Sequence, residues 1–199
     1  AKSANNPEMI GRFGVGFYSA FMVAEEVTVV TRRGGVDEPA LKWSSNGDDA
    51  YTLEETTRND FGTDVVLKLR EGMDEYLDAW RIKAIIKHYS DYISFPILLT
   101  AIDADGKEEP KDETINSRKA IWKKASSEIT EDEYHAFYRH ISHASDNPAK
   151  TIHYNAEGVT EFKSLLFIPT QAPHDLFMRE GQKGIHLYVR NVFITDDCK

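Results

Sequence analysis

The chain has 199 residues, 24 Lys and Arg against 33 Asp and Glu for a net charge of -9, and is 41% hydrophobic and 11% aromatic. That composition supports a buried core in one large or two small domains and excludes disorder throughout. The longest apolar run, near Phe95–Ala101, falls far below the ~20 residues of a membrane helix, the polar start carries no apolar signal core, and acids are interleaved with the basic residues, so neither a membrane protein nor a nucleic-acid surface is expected.

From the N-terminus, polar Ala1–Glu8 leads into a glycine-rich turn, and Phe17, Ala20, Phe21 and Ala24 then fall at i, i+3, i+4 and i+7, which predicts a helix starting near Gly16. Val27–Arg32, Leu41–Ser44, Tyr51–Glu55 and Thr63–Arg70 are short β-rich runs separated by Gly34-Gly35, Asn46-Gly47 and Asn59–Gly62, which predicts an antiparallel meander. Asp74–Tyr89 carries Ile82, Ile85, Ile86 and Tyr89 at helical spacing, and Phe95–Ile102 reads as a buried strand closing a first unit over 1–102. Asp103–Glu113 is so charged and so poor in apolar residues that it reads as a solvated linker.

The second unit, 114–199, opens with Ile115–Trp122. A helix follows, with Thr130 and Glu133 as a capping box and Tyr134, Phe137, Tyr138 and Ile141 as its apolar stripe. Thr151–Asn155, Glu161–Ile168 and Ile185–Ile194 read as strands, with a turn at Ala156-Glu157-Gly158. Helices mixed with strands give an α/β or α+β class. The single cysteine, Cys198, can form neither an intrachain disulfide nor a zinc cluster, which suits a reducing compartment, by default the cytoplasm.

Gly11, Gly14 and Gly16 stand at offsets 0, 3 and 5, letting a backbone approach a ligand without a Cβ in the way, and a helix beginning behind them would offer N–H groups to a phosphate. The spacing is neither the dinucleotide fingerprint nor the P-loop, so a tight turn with close helix packing stands beside phosphate binding. The first-turn acids Glu131, Asp132 and Glu133 are explained by capping and the helix dipole. His140 and His143 lack a third ligand and read as surface histidines, so no metal site and no catalytic residue is assigned. Pro169–Met178 is a proline-bounded loop whose Leu176-Phe177 tip suits either an exposed apolar patch or core packing.

The string Met9–Ala24 closely resembles bacterial members of the heat-shock protein 90 family, and so do Gly62–Leu67, Trp80–Lys83, Ala120–Trp122, Glu131–Tyr138, Ser164–Pro169, Ala172–Phe177 and Leu187–Ile194. The resemblance implies an ATP-dependent chaperone whose first part is the C-terminal portion of an ATP-binding α/β sandwich of the GHKL type, shared with gyrase and sensor histidine kinases. The first part of an α/β middle domain would follow. It places Gly11, Arg12, Phe13, Gly14, Val15, Gly16 and Phe17 at the phosphates of ATP or ADP with Mg2+, and Thr63 near the adenine. Arg12 stands where the family usually has Gln.

The family's catalytic Glu, Mg-holding Asn and adenine-binding Asp would lie upstream of Ala1, and its phosphate-reaching middle-domain Arg downstream of Lys199. The chain is therefore expected to be an internal piece, inactive alone, with an exposed sheet edge. A binding module for clients or cochaperones without ATPase activity is the alternative. Trp122 resembles a tryptophan linked to such contacts, although a packing role explains it equally; Leu176 and Phe177 are the other contact candidates. The resemblance further implies unfolded-protein clients and a homodimer in the full-length parent. By the same resemblance, the brief Asp103–Glu113 segment implies a bacterial origin, with an organellar one as the alternative.

Overall fold

The computed structural model describes residues 10–11, 14–102, 108–172 and 185–197. They fall into two compact units, 1–82 and 83–199. The division lies within one helix, whereas the sequence reading places the boundary in the charged segment 103–113.

In the first unit, β-branched residues build a four-stranded antiparallel sheet from β1 (Ala24–Arg32), β2 (Ala40–Ser45), β3 (Thr52–Thr56) and β4 (Gly62–Leu69). The order is β3-β2-β1-β4, so β1 to β3 form the expected meander but β4 crosses back to lie beside β1. This is Greek-key order, and local turn signals do not encode which strand a returning strand will join. Register gives the sheet two unlike faces. Val29 stands opposite Trp43 and Val65, Val27 opposite Leu67, and Trp43 opposite Leu53, forming an apolar face. The other face carries Lys42 paired with Glu54 at 2.9 Å and Ser44 bonded to Thr52 at 2.7 Å.

Ahead of β1, residues Gly16–Met22 form a seven-residue 3-10 helix in place of the expected α-helix. After β4 a 3-10 turn, Asp74–Leu77, leads to α1 (Ala79–Ser90), which starts where the Asp78 carboxylate accepts from Arg81 N–H at 2.8 Å. The single helix expected over 74–89 is thus a turn followed by a capped helix.

In the second unit, β5 (Leu98–Ile102) pairs antiparallel with β6 (Glu108–Thr114). Most of the expected solvated linker is therefore a strand. A two-stranded edge needs backbone partners rather than apolar side chains, and the register slips opposite Pro110, where no ladder N–H is available. Asn116 secures the following chain: its Oδ1 accepts from Ile97 N–H at 2.9 Å, and its Nδ2 donates to the carbonyls of Ile93 and Phe95.

Helix α2 (Glu131–Ser142) begins with the expected reciprocal cap, Glu133 N–H to Thr130 Oγ1 at 3.3 Å and Thr130 N–H to Glu133 Oε2 at 2.9 Å. Strands β7 (Lys150–Ala156) and β8 (Phe162–Ile168) form an antiparallel ribbon whose inner side packs on α2 through Phe167 against Tyr138 at 5.4 Å. The expected strand over 185–194 is a hairpin, β9 (Leu187–Val189) and β10 (Val192–Thr195), turned at Arg190 and Asn191 with φ of 52° and 67°. Two consecutive left-handed residues make the turn that matches strand twist.

Candidate functional site

Gly14 sits at φ +69°, a conformation that strains any residue with a Cβ. Among the described residues, a Cβ built on Gly11, Gly14 or Gly16 would meet nothing within 4 Å. Among these residues no close packing accounts for the three glycines, and a left-handed backbone is found only at Gly14. Gly16 lies outside the left-handed region and faces open space among the described residues. At the start of the 3-10 run Tyr18 N–H donates to the Val15 carbonyl at 3.1 Å, and the N–H groups just ahead of it have no acceptor among the described residues of the turn. Ser19 Oγ closes on the Gly16 carbonyl at 2.6 Å.

This short run leans on the apolar face of the sheet, with the Phe17 ring 5.7 Å from that of Trp43 on β2. Thr63, the second residue of β4, stands opposite Thr31, and their hydroxyls meet at 2.8 Å. Thr31 alternates with Val29, which faces Trp43, so Thr63 shares the face on which Phe17 rests. The glycine turn and Thr63 are thus brought to one side of one sheet. Arg12 and Phe13 lie outside the described residues.

In the second unit Trp122 is half-buried in an aromatic cluster, its ring 4.7 Å from Tyr92, 5.0 Å from Tyr188 and 5.8 Å from Phe137. Burial pushes the Tyr92 and Tyr188 phenols up from their ordinary range. The Trp122 carbonyl lies 3.3 Å from His153 Nε2, and His153 Nδ1 lies 2.7 Å from the Tyr134 hydroxyl. Tyr134 therefore donates to Nδ1 while Nε2–H donates to the carbonyl, tying β7, α2 and the Trp122 turn together.

Asp91 is the buried charged residue among the described residues of this unit. Its Oδ1 accepts from Ser117 N–H at 2.8 Å and from Lys87 Nζ at 3.0 Å, while Oδ2, buried without a hydrogen bond, has His140 Nε2 at 3.4 Å. Burial alone would raise the carboxyl, but the Ser117 N–H and the Lys87 ammonium outweigh it and hold the group below the usual carboxylate range. Of the two histidines set aside as metal ligands, His140 faces Asp91 and His143 ends α2 in a left-handed cap. Leu176 and Phe177 lie outside the described residues.

Asp91, Asn116, Trp43 and Thr31 carry no spacing signal, which is why the sequence reading passes over them. Among the described residues, no helix is long and apolar enough to cross a membrane.

The Hsp90 protein family profile matches residues 103–199. The chain is similar to the chaperone protein HtpG of Geobacter metallireducens, 50% identical over 98% of this chain and 32% of that protein, and to that of Geobacter sulfurreducens, with the same identity and coverage. The chaperone protein HtpG of Gluconobacter oxydans is 49% identical over 100% of this chain and 32% of its own length. The chain spans about a third of the length of the curated relatives it matches. With half of its residues shared along nearly its whole length and the family profile over its second half, the chain belongs to the Hsp90 family.

Proposed function

We propose that the turn from Gly11 to Phe17 binds the phosphates of ATP or ADP with Mg2+, with Thr63 toward the adenine, as the nucleotide part of an ATP-dependent chaperone. The observation that carries this is Gly16, whose absent Cβ is not required by its backbone conformation and meets no described residue, leaving space among the described residues for a ligand to reach the main chain. The turn supports the reading through glycine backbone and N–H groups rather than through a helix dipole, because the run behind it is a seven-residue 3-10 helix. Bound Mg2+-ATP would supply a cleavable terminal phosphate. The residues named here hold and orient phosphates, and none is assigned to hydrolysis. In the whole protein such binding would drive clamping of two protomers around an unfolded client in the cytoplasm.

Calorimetric titration of the 199-residue chain with Mg-ADP tests the reading. Saturable binding that Gly16→Val removes, with melting temperature kept, is expected. Wild-type affinity in that variant, or no binding by the wild type, would refute it. Gly16 is preferable to Gly14 for this purpose, since valine at φ +69° would strain the fold as well.

A second reading, a module that contacts clients or cochaperones without hydrolysing ATP, is favoured by the outer side of the β7–β8 ribbon. Ile152, Tyr154, Phe162, Leu166 and Ile168 there are each 42% to 55% exposed. Trp122 belongs to this reading too. Trp122→Phe would keep the cluster filled, so client capture lost in that variant at unchanged stability would mark a contact role, and unchanged capture would remove it.

A further inference from the structure

We propose that Trp43 and Gly47 form a seat that fixes the posture of the Gly14–Phe17 turn, making Trp43 a positioning residue for phosphate binding; this rests on the nucleotide reading above. The 3-10 helix that carries the turn has no buried residue, and Val15, Tyr18 and Met22 are 62%, 66% and 76% exposed. A seven-residue run held so lightly by burial does not keep one orientation through its own hydrogen bonds.

Its C-terminal end is tied to the sheet by backbone, Arg70 N–H donating to the Val23 carbonyl at 2.9 Å. Its N-terminal half rests on aromatic edges. Phe17 meets Trp43 edge-on, at 5.7 Å and 66°, and meets Phe21 at 6.4 Å and 86°. Phe21 in turn lies over Gly47, where an added Cβ would come within 3.0 Å of its ring.

The seat itself is braced. Trp43 stacks on Tyr51 at 6.3 Å and 30°, and its strand neighbours are Val29 and Leu53. Gly47, at φ +86°, donates its N–H to Ser45 Oγ at 3.1 Å, and that hydroxyl donates to the Ala50 carbonyl at 2.8 Å. The loop between β2 and β3 is thereby locked in the shape that leaves the Phe21 ring its space. The backbone N–H groups beside Phe17 are consequently aimed by a ring contact on a neighbouring strand, without any contact from Trp43 to a phosphate. An edge-to-face pair biases such an orientation by up to about tenfold.

The test uses the 199-residue chain and Mg-ADP. Trp43→Ala should weaken binding about tenfold, Trp43→Phe should restore it to within about threefold, and Trp43→Leu, which keeps apolar bulk on the sheet, should resemble Ala. In a Trp80→Phe, Trp122→Phe background, the fluorescence of Trp43 should change on ADP addition and shift to the red on Phe17→Leu. Wild-type affinity in both Trp43→Leu and Trp43→Ala, or a Trp43 signal indifferent to Phe17→Leu, overturns the seat while leaving the nucleotide reading intact. No binding by the wild type overturns both.

Discussion

Asp91 concentrates more of the second unit's order than its single charge suggests. Its carboxylate holds the Ser117 N–H and Lys87, while its carbonyl accepts from Arg118 N–H at 2.8 Å and from the Ser117 hydroxyl at 3.1 Å. Asp91→Ala should cost about 2–3 kcal/mol, the range for losing charge-assisted bonds to buried groups. Because the folded carboxyl lies below its unfolded value of about 3.9, its stabilisation is complete above that value and lost as pH falls through the lower folded one. Asp91→Asn should therefore flatten the decline of melting temperature below about pH 4, a comparison made by thermal scans at pH 5 and pH 3. Trp122→Ala should cost about 2–3 kcal/mol in urea denaturation, less than for a fully buried tryptophan because the residue is only partly buried.

Helix α2 is the element whose sequence and structure agree most closely, and Thr130→Ala should lower stability by about 1 kcal/mol, visible as a lower denaturation midpoint. Its cap and stripe were legible because both depend on neighbours three or four residues away. The strands of the first unit were legible for the same reason, since alternation and turn residues are local. What local signals omit is partnership. The return of β4 to β1, the pairing of acidic 108–114 with β5, and the split of 185–194 at Arg190-Asn191 each depend on which chain lies alongside. For the site, the glycine spacing was readable, but the seat under Phe17 joins positions 17, 21, 43 and 47 across two turns, and no periodicity links them. The run after the glycines formed a 3-10 helix although its apolar spacing suited α.

At the scale of the molecule, the apolar sheet face still exposes Leu41, Leu53, Val65 and Leu67, at 41%, 58%, 51% and 37%. The outer side of the β7–β8 ribbon exposes a second group of apolar side chains, and clustered exposed apolar residues of this kind favour association. Sedimentation of the 199-residue chain should show association that grows with concentration, and Ile152→Lys with Leu166→Glu should reduce it. The position of β1 has a separate consequence in time. It pairs with β2 over Val27–Thr31 and with β4 from Ala24 to Arg32, whereas β3 and β4 are the outer strands among the described residues. Fraying of β3 leaves β1 untouched, and release of β4 frees only those β1 amides that point toward it. In deuterium oxide the outer strands should therefore exchange first, and the amides of β1 should keep their protons longest, as a clock set by neighbours on both sides.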